Sequence, residues 1–417
     1  GSRVKSVMRG VSCVVLLLLL CAVCATSAAA KQKKYGQSNS VSLHEISSAN
    51  SVFSRSLYES LSTNSTEGSF VMSPVSLHSA LALMYLGARG STADQMATGL
   101  KLTNNQDGLK TGFRQLFTSL KSSGSTHLQV VNRMYIQNSF NVLPVFRKLA
   151  RRSFRSDTKE VNFVNNHEKA RRNINKWIEK KTGQKITEII GPGVLNEMTR
   201  LVLVNAVYFS ALWLQPFNSE NSRVGKFHIS RNKEVDVPMM NMKTFLGYKH
   251  VVPLGVRILE LPYEDDAASM FILLPDDLEG IKNLESGENF AVVTSNFTDV
   301  KSEEINVTLP KFKMETSLDL KSNLMQLGMK DMFQTESADF SGITGSRDLH
   351  VSHVLQKTFV EVTELGTEAG ASSAVVAEAR SWRPPPLEFV VDHPFLFIIW
   401  EKRLNTTLFM GRFLGPQ

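Results

Sequence analysis

Cysteine is confined to one corner of this chain: Cys13, Cys21 and Cys24 share a single apolar run, and no cysteine follows. A chain of 417 residues built this way must fold by burying apolar surface. Disulfide scaffolds, cysteine nucleophiles and thiolate zinc sites are therefore excluded from its body. The composition suits that demand, with 42% hydrophobic and 21% charged residues, and 25 Gly with 14 Pro are too few for collagen-like or low-complexity chains. No linker-like stretch divides the chain after about residue 40 and no repeat of the roughly 20–50-residue kind recurs, which favours one large domain over a solenoid or propeller.

The cysteine-bearing run, Val11 to Ala25, follows Arg3, Lys5 and Arg9 and precedes Ala28-Ala29-Ala30-Lys31. This is the pattern of a secretory signal peptide cleaved after Ala30. Its fifteen residues would reach ~22 Å as a helix, short of the ~30 Å hydrocarbon core, which disfavours a membrane anchor. The expected organisation is a signal peptide over 1–30, with residues 1–7 before Met8 a candidate non-native start, a flexible segment over 31–42 and one folded domain over 43–417. Losing residues 1–30 removes three basic residues and no acidic one, so the formal charge falls from +8 to a mildly basic +5. Asn64, Asn296, Asn306 and Asn405 head Asn-x-Ser/Thr triplets, candidate glycosylation sites of a secreted, extracellular chain. Asn306 is the weakest of them, because Ile305-Asn306-Val307-Thr308 reads as strand.

Helical spacing predicts helices over Leu43–Leu61, from Pro74 to Leu86, over Leu109–Leu120 and over Ala170–Lys181. β-branched or alternating runs predict strands at Leu128–Ile136, Leu201–Phe209, Val256–Leu261 and Met270–Leu274. Ile305–Met314, Leu349–Glu364 and Leu387–Trp400 are long enough to build a large sheet, and Arg403–Phe409 reads as a hairpin. Helices early and strands late indicate an α+β fold.

Enzyme chemistry is hard to find. There is no Gly-x-Ser-x-Gly elbow, phosphate-cradling Gly-rich loop or His-Glu-x-x-His pair. His350 and His353 stand three apart in a strand-like segment, which puts them on opposite faces and spoils joint metal ligation. No cofactor, catalytic residue or metal site is expected.

The segment Glu364 to Ser381 is poor in bulky side chains. Read with period two, Thr367, Ala369, Ala371, Ser373, Val375, Ala377 and Ala379 share one face, while Glu368, Glu378 and Arg380 share the other. Such a segment can enter a sheet over a buried core, but Pro384-Pro385-Pro386 cannot continue a central ladder. It resembles the hinge and reactive-centre loop of the serpins. The surrounding chain resembles them at Phe70-Val71-Met72-Ser73-Pro74-Val75-Ser76, Leu203–Phe209, Leu309-Pro310-Lys311-Phe312 and Phe389–Ile399, in the family's order and across nearly the whole mature chain.

The resemblance implies a serpin fold: a single α+β domain with a large central sheet, further sheets, about nine helices and an exposed loop over about 364–388. It implies a monomeric inhibitor rather than an enzyme, which traps a serine protease covalently when its cleaved loop inserts as a new strand; the alternative is a non-inhibitory carrier or chaperone. Counted along the family spacing from Gly366, the bait bond is Arg380-Ser381, with a loop spacing like that of antithrombin and a trypsin-like target. Arg383 is the rival bait, disfavoured by Pro384. The implied hinge is Glu364, Gly366, Thr367, Glu368, Ala369, Gly370, Ala371, Ser372 and Ser373; Leu365 replaces a common Glu and Gly370 a common Ala. Ser73, Ser76, Asn205 and Gln356 match the region where the sheet opens, with Gln356 in place of a common histidine, and Lys311 matches a residue that restrains Glu364. Two basic clusters, Lys110, Arg114 and Lys121, and Arg147, Lys148, Arg151, Arg152 and Arg155, are candidate sites for a heparin-like sulfated glycosaminoglycan that would activate the inhibitor. Neither cluster carries stacking aromatics, so no nucleic acid is expected, and no membrane partner either.

Overall fold

The computed structural model describes residues 43–64, 68–120, 127–367 and 385–416. The signal peptide, the 31–42 segment, Lys121, Glu368 to Ser373 and the Arg380-Ser381 bond lie outside them. Helices dominate the first part: α1 (Leu43–Asn64), β1 (Phe70–Met72), α2 (Pro74–Gly87), α3 (Gly90–Leu100), α4 (Gln106–Ser119), β2 (His127–Gln137), α5 (Pro144–Phe154), β3 (Asp157–Val161) and α6 (Phe163–Lys181). Strands then take over with β4 (Leu201–Leu212), β5 (Arg223–Ser230), β6 (Lys233–Val251), β7 (Val256–Pro262) and β8 (Ala268–Pro275). Two short helices, α7 (Ile281–Leu284) and α8 (Gly287–Asn296), lead to β9 (Lys301–Pro310) and β10 (Phe312–Asp319). After α9 (Lys321–Gln326) and α10 (Ser341–Thr344) come β11 (His353–Thr363), β12 (Gly366–Thr367), β13 (Leu387–Val390), β14 (Phe395–Glu401) and β15 (Thr406–Phe413).

Two sheets organise these strands. A six-stranded mixed sheet runs β10-β11-β12-β4-β2-β3, and a nine-stranded one runs β1-β15-β14-β8-β7-β6-β9-β13 with β5 on β6. Helix α2 packs against β15 of one sheet and β4 and β2 of the other. Its sequence explains the position: every residue from Pro74 to Gly87 is buried, and an all-round apolar helix is stable only inside. Each of Leu77, Leu81 and Leu83 contributes about 1.5–3 kcal/mol by leaving water. Pro74 opens the helix with the fixed φ suited to its first turn. Gly87 closes it where any Cβ would collide with Ile343.

A second, smaller core lies between α6 and the six-stranded sheet, where Ile174 and Ile178 meet Val202, Val204, Leu355 and Phe359. Arg133 of β2 lies 3.7 Å from the ring centroid of Trp177 on α6, a cation–π contact that holds the helix against the sheet.

Three expected strands are corrected. Ile305–Met314 is two strands in different sheets, β9 and β10, because the chain crosses between sheets at Pro310-Lys311. Leu349–Glu364 is strand only from His353, since Val351 and Ser352 donate to Met332 and Leu201 outside the ladder. Leu387–Trp400 is broken at Val391–Pro394 into β13 and β14.

Candidate functional site

β4 and β11 pair in parallel from Val202/His353 to Tyr208/Phe359, and above that point they part. Into the gap comes β12. Thr363 to Gly366 turns the chain back on itself, and Gly366-Thr367 pairs antiparallel with β11 on one side and β4 on the other. Trp213 N donates to Leu365 O (3.0 Å) and Phe217 N to Glu364 O (2.8 Å), while the Trp213 indole donates to Thr363 O (3.0 Å). Gly366 has φ +152°, and a Cβ there would meet Ala211 O and lie 2.7 Å from Leu212 Cα, so only glycine lets the chain enter so closely.

Thr367 is fully buried, its hydroxyl 2.9 Å from that of Tyr263. Tyr263 stacks on Trp213 at 4.7 Å, and burial pushes its phenol well above the usual value, so it stays neutral. Lys311 Nζ donates to Glu364 Oε1 at 2.9 Å, and Ser222 Oγ donates to the same oxygen at 2.7 Å. Burial alone would raise the Glu364 carboxyl, but these bonds outweigh it and hold the group below its ordinary value.

Below the split, a row of polar side chains crosses three strands. Gln356 lies opposite Asn205, and Asn205 opposite Asn132. Gln356 Nε2 donates to Asn205 Oδ1 (2.6 Å) and Ser73 O (3.0 Å), and Ser73 N returns a bond to Gln356 Oε1 (3.0 Å). Asn205 Nδ2 donates to Ser76 Oγ (2.5 Å) and to Asn132 Oδ1. Ser73, Ser76, Asn132, Asn205 and Gln356 are all buried, and none can ionise. Separating β4 from β11 must break this row, and every orphaned amide costs about 1–3 kcal/mol.

The structure thus gathers Ser73, Ser76, Asn205 and Gln356 into one cluster and pairs Lys311 with Glu364. Sequence reasoning missed Asn132, Tyr263, Trp213 and Ser222. Asn132 carried a usable signal, a lone amide between Val131 and Arg133 in a strand-like run, much as Asn205 sits between Val204 and Ala206.

The described members of the two basic clusters lie on or beside neighbouring helices, Lys110 and Arg114 on α4, Arg147 to Arg152 on α5 and Arg155 just past its end. Part of their charge is already neutralised: Lys110 pairs with Asp107 (2.7 Å), Arg147 with Glu160 and Arg151 with Asp157 (3.1 Å). Arg114, Lys148, Arg152 and Arg155 are exposed and make no ion pair among the described residues. Asn296 and Asn405 are exposed, at the end of α8 and in the turn before β15, whereas half-buried Asn306 donates to Glu388 and accepts from Asn241. Asn64 is the last residue of α1. His353 pairs with Asp319 at 2.7 Å, and His350 lies before the strand begins. Among the described residues no three metal-ligating side chains cluster, and no helix is long and apolar enough to cross a membrane.

The family model described as serpin (serine protease inhibitor) matches residues 48–416. The chain belongs to the serpin family. Among curated serpin relatives, leukocyte elastase inhibitor of Xenopus laevis is 38% identical over 380 residues, covering 90% of this chain and all of that protein. Its Homo sapiens counterpart is 36% identical over 381 residues with the same coverage. Of solved serpins, Serpin48, a highly specific serpin of the insect Tenebrio molitor, matches with TM-score 0.82 at 32% identity, covering 89% of this chain and 98% of that one. Human thyroxine-binding globulin complexed with its hormone matches with TM-score 0.82 at 25% identity, covering 90% and 100%. The α+β serpin fold is thereby established, with ten α-helices among the described residues, three of them only four to six residues long.

Proposed function

We propose that this serpin is a secreted suicide-substrate inhibitor of trypsin-like serine proteases in an extracellular proteolytic cascade, with Arg380-Ser381 as its bait bond. The observation that carries the reading is the seat of Gly366-Thr367, a two-residue strand bonded on both sides where β4 and β11 part, at the point from which a longer strand could enter by separating them. The residues that would follow it inward are small, so each can enter without the penalty of several kcal/mol that a buried unpaired charge would impose.

The chemistry begins in the protease. Its serine Oγ adds to the Arg380 carbonyl carbon, the Arg380–Ser381 C–N bond breaks, the Ser381 amine leaves with the proton delivered by the protease histidine, and Arg380 remains as an ester on the serine. Water would hydrolyse that ester and free the enzyme, so insertion has to be faster. Fifteen residues from Gly366 to Arg380 span ~50 Å as a strand, enough to carry the attached protease along the sheet.

Arg380 offers a fixed cation to a pocket with a carboxylate at its base, which is why a trypsin-like target is proposed although the Xenopus and human relatives are named for an elastase. The thyroxine-bound relative favours a second reading, a carrier. Incubation with trypsin followed by denaturing electrophoresis separates the two: the inhibitor gives a covalent complex that survives denaturation, and a carrier gives clean cleavage without one. Arg380→Ala is expected to lower the inhibition rate of trypsin by at least about a hundredfold, and an unchanged rate would reject this bait. The α4–α5 face is the proposed site for the sulfated glycosaminoglycan. Retention on a heparin column should fall steeply with salt, and elution at or below physiological salt rejects that part. Secretion and glycosylation are read out by expressing the chain from residue 8 in a secreting cell and treating the medium with a glycan-cleaving enzyme.

A further inference from the structure

We propose that the solvent-facing pole of α6, where Lys169, Arg172, Lys176 and Lys180 stand in line, binds a sulfated glycosaminoglycan chain lengthwise, as a site distinct from the α4–α5 face. Helix geometry sets the line. At ~100° per residue the four cations fall within an arc of about 80°, and they cover ~16 Å of the axis in about three turns. Asn166, whose backbone leaves the helical range, precedes the stripe, so the line runs along regular helix. Ile174 and Ile178 fall on the opposite side, buried against Val202 and Val204 of β4 and Leu355 and Phe359 of β11. With that side fixed to the sheet, the cations face water.

Nothing in the fold neutralises them. All four are exposed, and none makes an ion pair among the described residues. Of the helix's two carboxylates, Glu168 is held by Arg171 at 3.0 Å and Glu179 lies half-buried at the edge of the stripe. Like charges therefore face each other at 169/172, 172/176 and 176/180, the i,i+3 and i,i+4 spacings at which they repel. On the α4–α5 face, by contrast, Lys110, Arg147 and Arg151 already have acidic partners. A row of sulfates laid along α6 turns the repulsions into charge-assisted contacts.

The same helix selects among polyanions. A helix that lies on a membrane turns an apolar face to the lipid, and the apolar face of α6 is already occupied by the sheet. Single-stranded nucleic acid gains from stacking aromatics, and the two aromatics of α6 are buried Phe163 and Trp177, the latter under Arg133 at 3.7 Å. What remains on the outer pole is a straight row of ammonium and guanidinium groups, which matches a linear chain carrying sulfates at short intervals. The inference rests on neither the inhibitor reading nor the α4–α5 site, since the stripe is built by its own charges.

The test uses the full chain and heparin. Arg172→Gln, Lys176→Gln and Lys180→Gln are combined, once in the wild type and once in a chain whose α4–α5 face is neutralised by Arg114→Gln, Lys148→Gln and Arg152→Gln. Affinity is measured over a series of salt concentrations. The chain neutralised on α4–α5 alone is expected to bind heparin still. The α6 changes should lower affinity by at least about tenfold in either background, and the slope of log K against log salt should fall by roughly two to three. Heparin should also slow amide hydrogen exchange across residues 169–180 of the wild type and not of the α6 variant. Without heparin the α6 variant should melt no lower than the wild type, because its repulsions are gone, so a lost affinity is not a lost fold. Affinities within about twofold of the parent in both backgrounds, exchange protection that skips α6, or binding abolished by neutralising α4–α5 alone overturns the stripe. Phosphatidylserine vesicles or duplex DNA held more tightly than heparin at equal salt overturn its assignment to a sulfated glycan.

Discussion

The upper and lower halves of the six-stranded sheet differ in what lies between β4 and β11. Above, Gly366-Thr367 already separates them, bonded to both. Below, from Val202/His353 to Tyr208/Phe359, they bond directly to each other and are tied by the Gln356–Asn205–Asn132 row. Under the proposed inhibitory mechanism, the upper half is an insertion that has begun and the lower half is the part that resists it. The difference then teaches where such a switch would keep its barrier. Glycine and a small hydroxyl would seat the hinge, and buried amides with no titratable proton would lock the path ahead.

The largest expected effect comes from blocking the seat. Thr367→Arg puts a long cation where Thr367 is fully buried against Tyr263, so insertion stalls while cleavage continues. More than about ten inhibitors should then be consumed per trypsin trapped, and a ratio near that of the wild type would mean that the seat is not on the insertion path. Next in size is the lock. Asn205→Ala removes the centre of the row and orphans partners on both sides, which should lower unfolding free energy in urea by about 1–3 kcal/mol. A loss below about 0.5 kcal/mol would show that the lower half is not held by these amides.

Acid separates the halves more finely. The carboxyl of Glu364 is depressed in the fold, so its contact with Lys311 contributes above the ordinary value of 4.5 and is lost as pH falls through the lower folded value. Glu364→Gln should flatten the acid limb of hinge mobility, followed by Trp213 fluorescence, with a stability change under about 1 kcal/mol. Global acid loss begins earlier, at His78. Burial lowers its pKa from 6.5 to about 4, so between those values the unfolded chain binds the proton and stability falls as pH falls. His78→Phe should flatten that window without touching the hinge, and an unchanged slope between pH 6.5 and 4 would show that His78 does not set it.

Much of this was legible in the residues, for reasons that differ by region. α2 and β4 were readable because continuous burial leaves a continuous apolar run. The α+β order was readable because helical spacing early in the chain gives way to alternation later, whereas most of the hinge suggested by small residues at period two lies outside the described residues. The split of Ile305–Met314 was missed because alternation holds on each side of it, although the apolar positions shift from odd to even across Leu309-Pro310, where the backbone passes from one sheet to the other. β5 and β6 were missed because half-exposed strands such as Arg223–Ser230 mix charged and apolar residues without clean alternation. Asn132 and Tyr263 were missed because their roles depend on residues distant in sequence, Asn205 and Thr367, brought alongside only by register and packing.

The most direct measurement is thermal unfolding before and after a single cut within residues 368–384, made without a trapped protease. If the freed segment extends β12 down between β4 and β11, it replaces their direct pairing with two ladders and adds a strand's worth of hydrogen bonds, and Tm should rise by more than about 10 °C. A cut chain that melts at the temperature of the intact one contradicts insertion, and with it the inhibitory mechanism proposed for this serpin.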